Sequence, residues 1–232
     1  MTTVPPDRRS IDDAASSVRP LDVDREADAR AGLRWLWPAF AVLLAIGLGL
    51  LVVAHPGPLP GELGVVRWLQ DRSEPVPTLA DAVWTVTGTE AALVGAALPA
   101  GWLLARRQRQ GALVVAIAAV TMLVVQPLVK ELVDRPRPSA QVVTLRAEAE
   151  SMSFPSGHSM STTTVWGAVA GVAWAHRRRA VAAAAAVPIV LTLVASGVQG
   201  VHWPTDAIAG TLLGATAAWL IVPRVPSQAR GV

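Results

Sequence analysis

The chain is 232 residues long, 52% apolar and only 16% charged, with a net charge of +3. Soluble domains carry about a quarter charged residues, so a soluble enzyme gives way to an integral membrane protein as the leading class. The charge balance leaves no expectation of a nucleic-acid partner, and the absence of cysteine excludes disulfides and thiolate metal sites.

Residues 1–34 mix both charges without apolar periodicity and are expected to form a disordered tail. That tail is too long and too mixed for a cleaved signal peptide, so the first apolar run is expected to stay as an anchor. The run covers Trp37–Ala54. After it, the turn "HPGPLPGEL" leads into a candidate interfacial helix around Leu63–Gln70, placed to cover a site. Five further candidate helices follow: Glu90–Ala105 (interrupted by Pro99 and Gly101), Gly111–Lys130, His158–Ala175, Ala180–Ser196 and Thr205–Val222. Their lengths approach the roughly 20 residues that cross a bilayer. The expected fold is therefore all-α, a polytopic six-transmembrane-helix bundle over residues 35–223, followed by a short tail at 224–232.

Arginine placement orients the bundle. Nineteen of the 20 basic residues are arginine and Lys130 is the lysine, in the Ala- and Val-rich usage expected of a GC-rich bacterial genome. Fourteen arginines fall in the N-terminal tail, the second loop (Arg106, Arg107, Arg109), the fourth loop (Arg177 to Arg179) and the C-terminus. Arg67, Arg72, Lys130, Arg135, Arg137 and Arg146 fall in the remaining loops, with every acidic residue outside the N-terminal tail. The positive-inside rule then puts both termini in the cytoplasm of a plasma-membrane protein and the first, third and fifth loops outside. Tryptophans near the ends of the spans form the expected interfacial belt, while Trp166, mid-span, is expected to pack between helices.

On the outer side three polar stretches converge: "KELVDRPRP", "SFPSGHS" and "ASGVQGVHWPTD". Lys130 and Arg137, with Arg135 between them, concentrate positive charge beside hydrocarbon. Snorkelling cations would do this, but positive charge is normally depleted outside, and such a fork suits a phosphoryl group. Ser156 and Gly157 open a helical run whose free N–H groups can hold an anion, although a lone Ser156 is equally a helix cap. His158 is an ionisable group at a membrane span, costly unless used. His202 and Asp206 lie four apart across Pro204. If Asp206 accepts from one ring nitrogen, the other becomes a better nucleophile or base; a structural hydrogen bond or half a metal site fits the same pair. Missing carboxylates in "SFPSGHS" argue against a metal.

Together these stretches resemble the type-2 phosphatidate phosphatase superfamily. Its signature is lysine, six residues and Arg-Pro; then Pro-Ser-Gly-His; then Ser-Arg, five residues, His, three residues and Asp. Lys130 with Arg137-Pro138, Pro155-Ser156-Gly157-His158, and His202 with Asp206 match it, over roughly residues 80–215. Ala195 and Ser196 stand where Ser-Arg is usual, so one phosphate ligand is missing, with Arg135 or Arg146 as candidate substitutes.

The resemblance implies a membrane enzyme hydrolysing a lipid phosphate or diphosphate at the outer face, without metal or cofactor. It implies His202 as nucleophile through a phosphohistidine, Asp206 as its orienting partner, and His158 as acid and then base. Lys130, Arg137, Ser156 and the Gly157 amide would hold phosphate oxygens. Two alternatives stand beside it: a degenerate phospholipid-binding member, motivated by Ser196, and an intramembrane serine protease using Ser156 and His202.

Overall fold

A computed structural model describes residues 20–88, 91, 94, 97, 100, 101, 104, 105, 107, 109–175 and 177–222. Helix and loop account for all of them, with no strand among the described residues. The helices are α1 (Pro20–Ala54), α2 (Glu62–Gln70), α3 (Val76–Val86), α4 (Arg109–Val133), α5 (Gly157–Ala175), α6 (Arg179–Val198) and α7 (Pro204–Ile221). The candidate span Glu90–Ala105 lies largely outside the described residues. The chain divides into two compact units, Met1–Phe40 and Ala41–Val232. In the first, the Trp37 and Phe40 rings lie 6.5 Å apart.

Two helices differ from the sequence expectation. Residues 20–34, expected within the disordered tail, are helical as the start of α1. Pro20 is tolerated in the first turn, and the Leu, Arg, Glu and Ala that follow are good helix formers. Helix α3 was hidden by Pro75 and Pro77, which read as a loop; they occupy its N-cap and first turn, where a missing N–H costs nothing. The candidate helix near Leu63–Gln70 is observed as α2.

The site rests on the pairing of α5 with α7, the most extensive among the described helices. Gly210 and Gly214, one turn apart on α7, make it possible. A Cβ on Gly210 would lie 2.4 Å from the Ser156 carbonyl oxygen, and one on Gly214 would lie 2.4 Å from that of Met160. This is the small-xxx-small contact through which membrane helices approach backbone to backbone. Phe154, Val52 and Ala209 form one buried cluster against Val129 and Val133, fixing the segment just before α5. Ala80, Ala195 and Val198 form another, fastening α3 across the end of α6.

Elsewhere the helices turn apolar side chains outward: Leu43, Leu50, Leu113, Leu128, Val187 and Val190 are exposed, and Leu132 is 81% exposed. Trp166, expected between helices, is 39% exposed on this outer surface. Apolar surface on that scale suits lipid rather than water. Among the described residues, two helical stretches, Trp35–Ala54 and Arg179–Val198, are long and apolar enough to cross a membrane.

Candidate active site

The N-terminus of α7 organises the site. Trp203 is the N-cap, Pro204 fills the first turn, and Asp206 reaches back so that its Oδ2 accepts the Trp203 N–H at 2.9 Å. The cap thereby locks a carboxylate beside His202, whose Nδ1 lies 3.8 Å from Asp206 Oδ2. That gap is electrostatic contact rather than a hydrogen bond. Ser153 fills it: its hydroxyl donates to Asp206 Oδ2 at 2.5 Å and sits 3.4 Å from His202 Nδ1.

The far edge of the imidazole meets a cation. Arg137 Nη1 is 3.2 Å from His202 Nε2. A guanidinium only donates, so Nε2 is assigned the acceptor role and the ring proton falls to Nδ1, on the Asp206 side. His202 is 2% exposed, and burial is the main reason its pKa falls to about 4; Asp206 pulls the other way, while Arg137 and Lys130 push it further down. At neutral pH the ring is uncharged, and its Nε2 lone pair points to Arg137.

Arg137 and Lys130 meet at the Met152 carbonyl. The Arg137 side chain donates from Nε to the Ser151 carbonyl and from Nη1 to the Val201 carbonyl, both at 2.6 Å. Lys130, buried at the end of α4, donates to the Met152 carbonyl, which Arg137 also reaches at 3.3 Å. The structure thus brings Lys130, Arg137, His202 and Asp206 into one cluster, although 76 positions separate the first from the last in sequence.

His158 stands in the first turn of α5, half-buried. Its ring lies flat on the indole of Trp84, with centroids 3.6 Å apart and planes 13° apart. The same indole is 6.1 Å from the His202 ring. Trp84 therefore lies close to both histidines. Sequence reasoning assigned it only to the interfacial belt, because α3 was not recognised.

The protein itself engages the other candidate residues. Ser156 is fully buried; its Oγ accepts the Ser159 N–H at 3.4 Å and its own N–H donates to the Asp206 carbonyl at 3.0 Å. It caps α5 and ties it to α7, and the serine beside His202 is Ser153, so the serine-protease reading loses its dyad. Arg135 is no substitute phosphate ligand: 1% exposed, it donates to Asp206 Oδ1 at 2.6 Å, Glu62 Oε2 at 2.5 Å and Thr205 Oγ1 at 2.7 Å. Burial requires those anionic partners, which leave the guanidinium no freedom to turn toward a ligand. Arg146 is paired too, with Asp81 at 2.8 Å. Ser196 is buried and donates to the Leu193 carbonyl of its own helix. Gly157 faces Gln126 of α4, whose flexible side-chain amide would have to move aside for an added Cβ.

A profile of the PAP2 superfamily matches residues 109–230, which hold Lys130, Arg137, His158, His202 and Asp206. The chain belongs to the PAP2 superfamily. As a PAP2 protein it is an enzyme, a phosphatase. It is 33% identical over 137 residues to the decaprenylphosphoryl-5-phosphoribose phosphatase of Mycobacterium tuberculosis strain H37Rv, and equally to that of strain CDC 1551. The alignment covers 52% of this chain and 70% of the relative. In fold it is similar to the crystal structure of a transmembrane PAP2-type phosphatidylglycerolphosphate phosphatase from Bacillus subtilis. That match has a TM-score of 0.68 and 21% identity, over 80% of this chain and 94% of the other. Helices α1 to α3, before the matched segment, supply Glu62 and Trp84.

Proposed function

We propose that this PAP2 phosphatase hydrolyses a lipid phosphate or diphosphate through a phosphohistidine intermediate on His202. The observation that carries the proposal is the setting of His202. Its Nδ1 edge faces the Asp206–Ser153 pair, and its Nε2 edge faces Arg137.

In the first step the Nε2 lone pair attacks phosphorus, the bond from phosphorus to the leaving oxygen breaks, and His158 gives that oxygen its proton. Asp206 balances the positive charge that His202 gains. Lys130 and Arg137 turn donors from the 151–152 carbonyls to the nonbridging oxygens, where the Ser156–Gly157 turn adds the start of α5. In the second step His158, now neutral, takes a proton from water; the water oxygen bonds to phosphorus, the P–N bond breaks, and phosphate leaves.

A lipid substrate is supported by the apolar outer surface and by the names of the similar proteins, both lipid-phosphate phosphatases. Isoprenyl-linked phosphates or diphosphates, phosphatidate and phosphatidylglycerophosphate are the candidates. A cavity of about 620 Å³ beside Arg137, lined also by Leu145, Arg146, Glu148 and Glu150, leaves room for a polar headgroup. The orientation rests on arginine placement: six spans, both termini cytoplasmic, and the site at the outer face, where a headgroup reaches it without leaving the bilayer.

The test is phosphate release by detergent-purified protein with EDTA present, screened across lipid monophosphates and diphosphates. His202→Ala should abolish release and also the acid-labile phosphoenzyme trapped from radiolabelled substrate. Full activity in that variant would remove His202 as nucleophile, and failure on every lipid would remove the substrate class.

A further inference from the structure

The Trp84 indole is stacked face to face on His158, and its position is imposed from outside the segment that the PAP2 profile matches. Trp84 lies in the last turn of α3, and α3 is clamped against α6 by Ala80, Ala195 and Val198, with Val76 and Val83 beside them. The ring also lies beside the C-terminal end of α3. A Cβ on Gly88, just past the Thr87 C-cap, would be 3.6 Å from His158 Nε2. Parallel stacking fixes the plane in which the ring can donate.

We propose that Trp84 is a positioning residue for His158, holding its imidazole flat as it delivers a proton to the leaving group. The proposal rests on His158 being the general acid. It does not extend to His202, which is 6.1 Å away, tilted by 51°, and held independently by Asp206, Ser153 and Arg137. Removing the indole should therefore injure proton donation and leave nucleophilic attack largely intact.

Proton donation matters most when the leaving group is poor, which gives a readout that a merely structural role would not move. The experiment measures kcat/KM, which reports the steps through phosphoenzyme formation, for octyl phosphate and for 4-nitrophenyl phosphate. The first expels a basic alkoxide and needs the acid, whereas the second expels a stable phenolate and needs it little. His158→Ala should lose about 100-fold or more on octyl phosphate and far less on the nitrophenyl ester. Trp84→Leu should show the same slope at about tenfold on octyl phosphate, and Trp84→Phe, which keeps a stacking face, should recover most of it. Equal losses on both esters in Trp84→Leu, or a Trp84→Phe as impaired as Trp84→Leu, would overturn the role of Trp84 while His158 stands. A flat response in His158→Ala would instead overturn the general-acid assignment and the proposal with it.

Discussion

His202 is held uncharged by burial, and this has a consequence for stability as well as chemistry. Its ordinary pKa of 6.5 is lowered to about 4 in the fold, so on acidification the unfolded chain takes up a proton before the folded one does. The ring's contribution is complete above about pH 6.5 and is lost as pH falls toward 4. Thermal unfolding in detergent should therefore show the wild type losing ground to His202→Asn across that window; a constant offset would contradict it. Ser153 offers a second check. Its hydroxyl links Asp206 to the imidazole, so Ser153→Ala should lower kcat by about tenfold with KM little changed. At this scale the sequence was informative where chemistry is expensive: His158, His202 and Asp206 stand out because ionisable groups beside a membrane demand a use. It was silent on Ser153 and Trp84, since a serine in a loop and a tryptophan near an interface are ordinary until their neighbours are known. It misled on Arg135, because a guanidinium paired with two buried carboxylates reads in sequence as a free cation.

Among the elements, α5 and α7 carry the geometry, and glycine sets their distance. Gly210→Ala would drive a methyl into the Ser156 carbonyl, separating His158 on one helix from Asp206 on the other. The expected result is a loss of about 2 kcal/mol in stability together with a fall in activity. Unchanged melting and turnover would show that the helices can part without cost. The apolar runs behind α4, α5, α6 and α7 were legible because lipid-facing and core residues are both greasy over 18 or more positions. Helix α3 was not, since two prolines at a helix start look the same in sequence as two prolines in a loop. The glycine pair was not either, for its meaning depends on which backbone lies opposite.

For the molecule as a whole, the proposed orientation is open to direct measurement because the natural chain has no cysteine. A single cysteine at exposed Ser139, in the loop between α4 and α5, should react with a membrane-impermeant maleimide in right-side-out vesicles. One at exposed Arg177, between α5 and α6, should react only after permeabilisation. The opposite pattern would invert the topology and move the site to the cytoplasmic face. Charge asymmetry made this expectation possible, and it is a property of loops, which is why it could be read without knowing how any helix packs.

The Glu62 carboxylate joins α2 to the centre of the molecule: it accepts from Arg135 and from the N–H and hydroxyl of Thr205, and Arg135 in turn grips Asp206. A compound or antibody fragment that prised α2 away would strand a buried cation and release the carboxylate behind the nucleophile. Such an agent would silence the enzyme from its rim, by inhibition that added substrate does not relieve, without ever competing for the phosphate cradle.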